Sequence, residues 1–189
     1  MPAAERVSER TPSAQAEARA LASGGTSADA IYRLVSKAIE RRAPAGGAIL
    51  DVGCGKGLLR NYLPANFTQY TGMDLVRYEG FPGECMFHLA DFNVPPYSRS
   101  DASMDLGAAV EVIEHLENPR AFVRELARLA RPGGLVIVTT PNQLSLLSKM
   151  TLLVKNQFNA FQDSCYPAHL TALLESDLRR IFLENGLEE

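Results

Sequence analysis

No apolar run in these 189 residues approaches the about 18 needed to cross a bilayer, and the N-terminus lacks the apolar core of a signal peptide. Cysteine is scarce. Cys54, Cys85 and Cys165 are odd in number and far apart, with no CxxC pair and no Cys/His ligand spacing, so reduced thiols in a cytoplasmic protein are expected. A net charge of −3, without any Lys/Arg cluster, gives no general attraction to nucleic acid or to an anionic membrane, and a nucleic-acid partner is not expected. The glycine cluster lacks both the G-x-G-x-x-G spacing of a dinucleotide loop and the Gly-Lys-Ser/Thr of a phosphate loop, so pyrophosphate is not the expected ligand. What remains is ordinary for one globular domain: 46% hydrophobic and 22% charged residues on a chain long enough to bury a core.

The most informative stretch is Ile49-Leu50-Asp51-Val52-Gly53-Cys54-Gly55-Lys56-Gly57. An apolar run containing one carboxylate enters three closely spaced glycines, the pattern of a strand feeding a ligand loop. Glycine is required where backbone turns tightly or approaches a ligand closely. Asp51 is placed to receive a positively charged or hydroxyl-bearing group.

Downstream, strands and helices alternate. Residues 1–27, with Pro2, Pro12 and Ser23-Gly24-Gly25-Thr26-Ser27, read as a flexible N-terminal tail in which 13–21 can form a transient helix. Ile31, Leu34, Val35, Ala38 and Ile39 keep helical spacing, with Ser27 as N-cap and Pro44–Gly47 as stop. A helix is expected over 58–63, strands over 69–74, 85–92, 104–110 and 134–140, and a strongly amphipathic helix over 119–130. Short apolar strands separated by helices predict a doubly wound, mostly parallel α/β sheet buried on both faces, with ligands beyond the carboxyl ends of its strands.

Those ends carry acidic residues: Asp51, Asp74, Asp91 and Glu111. Asp74 lies 23 residues after Asp51, close to the spacing of a ribose-binding carboxylate in doubly wound folds, although a strand-end turn residue reads the same way. Asp91 can alternatively be read as a turn cap. His88, inside the third strand, reads as structural.

Together with the glycine loop, Val110-Glu111-Val112-Ile113-Glu114-His115-Leu116 and Leu129-Ala130-Arg131-Pro132-Gly133-Gly134-Leu135 through Asn142 resemble successive motifs of the class I S-adenosylmethionine (SAM) methyltransferases, a Rossmann-like family. The likeness runs over about residues 31–142 and is closest to the ubiquinone-biosynthesis type of small-molecule O-methyltransferase. It implies SAM as cofactor, held by Asp51, Gly53, Cys54, Gly55, Asp74, Leu75, Asp91, Phe92 and Glu111. Asp51 then takes the ammonium, Asp74 the ribose, and the Asp91-Phe92 pair the adenine. It further implies a methyltransferase domain over 28–189, with an acceptor lid within 143–170.

Glu111, Glu114 and His115 fall at i, i+3 and i+4 on one face of a turn. Two carboxylates and an imidazole suit a divalent cation, and metal-using relatives hold a magnesium-like ion with such a Glu-x-x-Glu-His turn plus a later residue, for which His169 is the candidate. The same sequence serves elsewhere as a metal-free helix-start network. His115 and His169 are also candidates for the catalytic base.

The resemblance therefore implies methyl transfer to a small-molecule acceptor, with oxygen as the expected acceptor atom. Alternatives are a metal-assisted RNA 2′-O-methyltransferase and a non-catalytic SAM-binding regulatory subunit. The Leu/Met-rich run 144–155 suits either an apolar acceptor lid or a helix packed on the core. The helix expected over 176–185, with Gly186 as C-cap, resembles the one before the family's final antiparallel strand pair. The expectation is that the chain is truncated or that the protein does without that pair; in the second case a sheet edge would be left for a partner, homo-oligomer formation included.

Overall fold

The computed structural model describes residues 14–43 and 45–188. Five strands, β1 (Ala48–Val52), β2 (Gln69–Asp74), β3 (Met86–Leu89), β4 (Met104–Val110) and β5 (Ala130–Thr139), form one sheet in the order β3-β2-β1-β4-β5. Every pairing is parallel. Around it lie α1 (Ala14–Ala22), α2 (Asp29–Arg42), α3 (Pro119–Leu129), α4 (Leu146–Lys155) and α5 (Glu175–Glu184).

Alternation along the strands splits the interior into two layers. Ile49, Leu106, Ala108 and Val110 meet Tyr32, Val35 and Ile39 of α2 on one face. Leu50, Val52 and Ala109 meet Phe122, Leu126 and Leu129 of α3 and Ile181 of α5 on the other. Both faces are covered, so the strands read as continuous apolar runs. Asn118 begins α3 by accepting the Ala121 amide at 3.0 Å, with Pro119 in the first turn. Phe122 has no exposed surface, and truncation to alanine costs about 3–5 kcal/mol.

Several local expectations are corrected. Residues 1–13 of the expected tail lie outside the described residues, whereas residues 14–27 carry α1 and a turn docked on the glycine loop. The Lys56 amide donates to the Gly25 carbonyl at 2.9 Å, and the Tyr78 hydroxyl donates to the Ala20 carbonyl. These long-range bonds hold a segment whose composition alone reads as loose. Ser27 does not cap α2: Ala28 takes the N-cap position, and the Ser27 amide donates to the Tyr32 hydroxyl at 2.9 Å. The helix expected after the glycine loop is a 3₁₀ turn, Leu58–Tyr62, followed closely by Pro64, which disfavours α geometry before it. β3 stops at Leu89. Strand β5 starts at Ala130, and its Pro-Gly-Gly segment bulges between the pairings Met104↔Ala130 and Leu106↔Leu135.

The run 144–155 contains α4, and its apolar stripe faces outward. Leu146, Leu147, Met150, Leu153 and Val154 are exposed while Ser148 is buried, so the core-packing expectation fails for that face. No antiparallel strand follows α5 among the described residues. No helix of the described residues is long and apolar enough to cross a membrane.

Candidate functional site

One cavity of about 1130 Å³ opens at the carboxyl edge of the sheet, and every site residue named from the sequence borders it. Its lining carries five carboxylates, those of Asp51, Asp74, Asp91, Glu111 and Glu114, against the single arginine Arg19 among the described residues. Such a wall favours a cationic ligand.

The glycine loop is pinned to the end of β2. Gly53 and Cys54 donate their amides to the Met73 carbonyl at 2.8 and 3.2 Å, and Gly55 donates to Asp74 Oδ2 at 2.7 Å. Gly53 and Gly55 both have left-handed backbone, with φ of 74° and 51°. A Cβ at Gly53 would collide with Val112, and one at Gly55 with the Gly25 carbonyl. Neighbouring protein, rather than a ligand alone, thus forbids a side chain here. The Cys54 thiol lies buried beneath the loop, and burial pushes its pKa upward.

Asp51, 2% exposed, accepts a 2.5 Å hydrogen bond from the Tyr70 hydroxyl on Oδ2. Burial, reinforced by the charge of Asp74, lifts its carboxyl to about 7 against the lowering effect of that bond. Asp74 accepts from Gly55 on one oxygen and from the Leu75 amide, at 2.7 Å, on the other. With the Val76 amide also close to the carboxylate, lone-pair capacity remains for a hydroxyl. Asp91 accepts from the Asn93 amide at 2.9 Å, a turn contact that fixes its carboxylate at the rim. Phe92 departs from expectation: its ring lies within the core against Tyr97 and Phe122, with centroids 5.6 and 5.8 Å away, so apolar packing competes with the proposed adenine contact.

At the end of β4 the backbone of Glu111 adopts φ 57°, a strained conformation for a non-glycine residue. Thr139 holds it there, accepting the Glu111 amide and donating to Glu111 Oε1, both at 3.0 Å. The next turn, Ile113–His115, is a 3₁₀ turn whose Glu114 carbonyl accepts the amides of Leu170 and Thr171 at 2.8 and 3.0 Å. Those bonds bring the chain around residue 169 against the turn. Ligand-capable atoms of Glu114, His115 and His169, the last of these the expected fourth ligand, lie within 4.8 Å of one another, whereas Glu111, expected as a ligand from the same turn, is outside this group and accepts from the Thr139 hydroxyl on Oε1.

His115 and His169 place Nδ1 at 2.7 Å from the Ala168 carbonyl and 2.5 Å from the Ala160 carbonyl. Donation from Nδ1 leaves Nε2 as the electron-pair donor on each ring. Glu114 is 1% exposed, and neither carboxylate oxygen makes a well-formed hydrogen bond among the described residues, although the Thr140 hydroxyl lies near enough to favour its ionised form. Burial raises its carboxyl to about 8. A buried carboxyl without a partner is costly, and a cation between it and two imidazole nitrogens would relieve that cost. Burial lowers the pKa of His115, favouring the neutral ring at pH 7.

Sequence reasoning missed Tyr78 and Tyr70, and it read the helix near residues 13–21 as transient, whereas α1 is docked. A helix over 14–22 was discernible from the alanine-rich spacing, but nothing in the sequence indicated what it would dock against.

The strand order and the acidic cavity define the class I, Rossmann-like architecture of SAM-dependent methyltransferases. A family model described as a methyltransferase domain matches residues 27–188, and the chain belongs to that family. Ubiquinone biosynthesis O-methyltransferases are among its relatives. That of Chromobacterium violaceum is 34% identical over 116 residues, covering 56% of this chain and 49% of the relative. That of Xylella fastidiosa is 30% identical over 157 residues, covering 72% and 62%. The chain thus spans about half to three-fifths of the length of these relatives.

Among solved structures, the YcgJ protein of Bacillus subtilis superposes with a TM-score of 0.64 at 20% identity, covering 84% of this chain and 68% of that one. A SAM-dependent methyltransferase of Archaeoglobus fulgidus gives 0.61 at 18% identity, covering 84% and 70%. The [4+2]-cyclase SpnF gives 0.57 at 20% identity, covering 82% and 56%. The fold alone therefore does not fix the reaction.

Proposed function

We propose that this domain transfers the methyl group of SAM to an oxygen of a small-molecule acceptor, with a divalent cation held by Glu114, His115 and His169. The convergence of those three side chains beside the cofactor cavity carries the reading, and the O-methyltransferase relatives support the oxygen acceptor. SAM supplies an activated methyl on its sulfonium, so this chain's work is positioning and exclusion of water. In this assignment Asp51 receives the cofactor's ammonium group, Asp74 its ribose hydroxyls and Asp91 its exocyclic amine. Gly53, Cys54 and Gly55 form the floor, with Leu75, Phe92 and Glu111 along the walls. Residues 164–169 border the same cavity and act as the acceptor lid.

The donor set of two imidazoles and one carboxylate suits manganese, iron or zinc better than magnesium. Such a cation, when bound, lowers the pKa of an acceptor hydroxyl and orients it. Without it, a ring nitrogen of neutral His115 or of His169 takes the hydroxyl proton.

Transfer from labelled SAM to a panel of phenols and catechols, run with manganese and after chelation, tests the reading. Methylated oxygen product is expected, reduced by chelation. Full turnover in metal-free buffer removes the cation from the scheme. Tight SAM binding with no product from any acceptor favours a regulatory subunit.

A further inference from the structure

We infer that Tyr70 is a positioning residue for cofactor binding: its hydroxyl fixes one oxygen of Asp51, so that the other is presented, ionised, to the ammonium group of SAM. The inference rests on the proposed placement of Asp51. Strand register puts the two residues together. Asp51 pairs with Gly72, and Tyr70 stands two residues earlier on β2, on the same face of the sheet. The absent side chain at Gly72 leaves the space opposite Asp51 to the Phe81 ring and the Cys54 sulfur, and the Tyr70 ring leans on Phe81 with centroids 6.4 Å apart. Held by that packing, the phenol has its hydroxyl at 2.5 Å from Asp51 Oδ2.

The surroundings of Asp51 otherwise oppose its charge. The carboxylate is buried, and the Asp74 charge at the end of β2 repels it. Tyr32 of α2 and Cys54 of the glycine loop are electrostatically coupled to it, yet burial pushes the pKa of each upward, so both are neutral near pH 7. No cation is among these neighbours, and the Tyr70 hydroxyl is the donor that favours the ionised form. Tyr70 touches neither the cofactor nor the reacting atoms in this scheme and acts through Asp51.

Calorimetric SAM binding by Tyr70→Phe, measured from pH 6 to pH 8 beside the wild type, tests this. With Asp51 ionising near 7, a further rise of about one unit weakens binding about tenfold at pH 6 but only about twofold at pH 8. Titration of the cofactor's own amine cancels in that ratio. A loss that is the same at every pH, or no loss, overturns the proposal, because a purely structural role has no reason to follow the Asp51 ionisation. In Asp51→Asn the hydroxyl has no charge to support, so adding Tyr70→Phe should cause no further pH-dependent change; an additive, pH-dependent loss in the double variant also overturns it. Wild-type affinity in Asp51→Asn refutes the Asp51 placement itself, a result distinct from failure of Tyr70 alone.

Discussion

His115 and His169 meet edge to face with ring centroids 4.9 Å apart, each ring engaging a backbone carbonyl through Nδ1. One nitrogen of each ring and a Glu114 carboxylate oxygen lie within 4.8 Å of one another, held in place by the contacts of those rings and by burial. Preorganisation of this kind is what a metal site needs from its outer contacts.

Manganese affinity should fall at least tenfold in His169→Ala and in Glu114→Gln, because each removes one of three protein ligands. The measurement is paramagnetic resonance of free manganese, which needs no acceptor. Glu111→Gln should change affinity less, since Thr139 holds that carboxylate apart. Equal losses in all three variants would show that Glu111 rotates into the set.

Asp91→Ala should weaken SAM by about 1–3 kcal/mol, the cost of one buried hydrogen bond to the adenine amine. Calorimetry checks it. Normal binding with lost turnover would assign Asp91 to the acceptor instead.

Gly55→Ala should loosen residues 14–27, because the new Cβ collides with the Gly25 carbonyl that accepts the Lys56 amide. Hydrogen exchange should rise across α1 while β1 and β4 stay protected. SAM affinity should drop with it, since α1 lines the cavity.

Cofactor-free stability should depend on pH through Asp51. Its folded pKa of about 7 lies above the ordinary aspartate value of 3.8, so its protonated form favours the fold; that contribution is fully present below about 4 and is lost as pH rises through about 7. Asp51→Asn removes this dependence. The melting temperature of the variant should therefore gain on that of the wild type between pH 5 and pH 8, and a constant difference would show that Asp51 is ionised throughout.

The order of elements was legible in the sequence because each strand is a short apolar run and each break carries glycine, proline or an acidic residue. Asp51, Asp74, Asp91 and Glu111 could be assigned to one edge because a parallel doubly wound sheet brings strand ends together wherever they fall in the chain. Local spacing likewise exposed the Glu111, Glu114, His115 turn. Tertiary structure alone decided which of these side chains converge. Glu111 turns to Thr139 through a bond across β4 and β5, His169 reaches His115 through amides donated to the Glu114 carbonyl, and Tyr70 reaches Asp51 through strand register. Phe92 was drawn into the core, and α1 onto the glycine loop, by contacts with residues remote in sequence. The physical reason is the same throughout: periodicity reports the face on which a residue lies, whereas hydrogen-bond partners and rotamers are set by neighbours that only folding supplies.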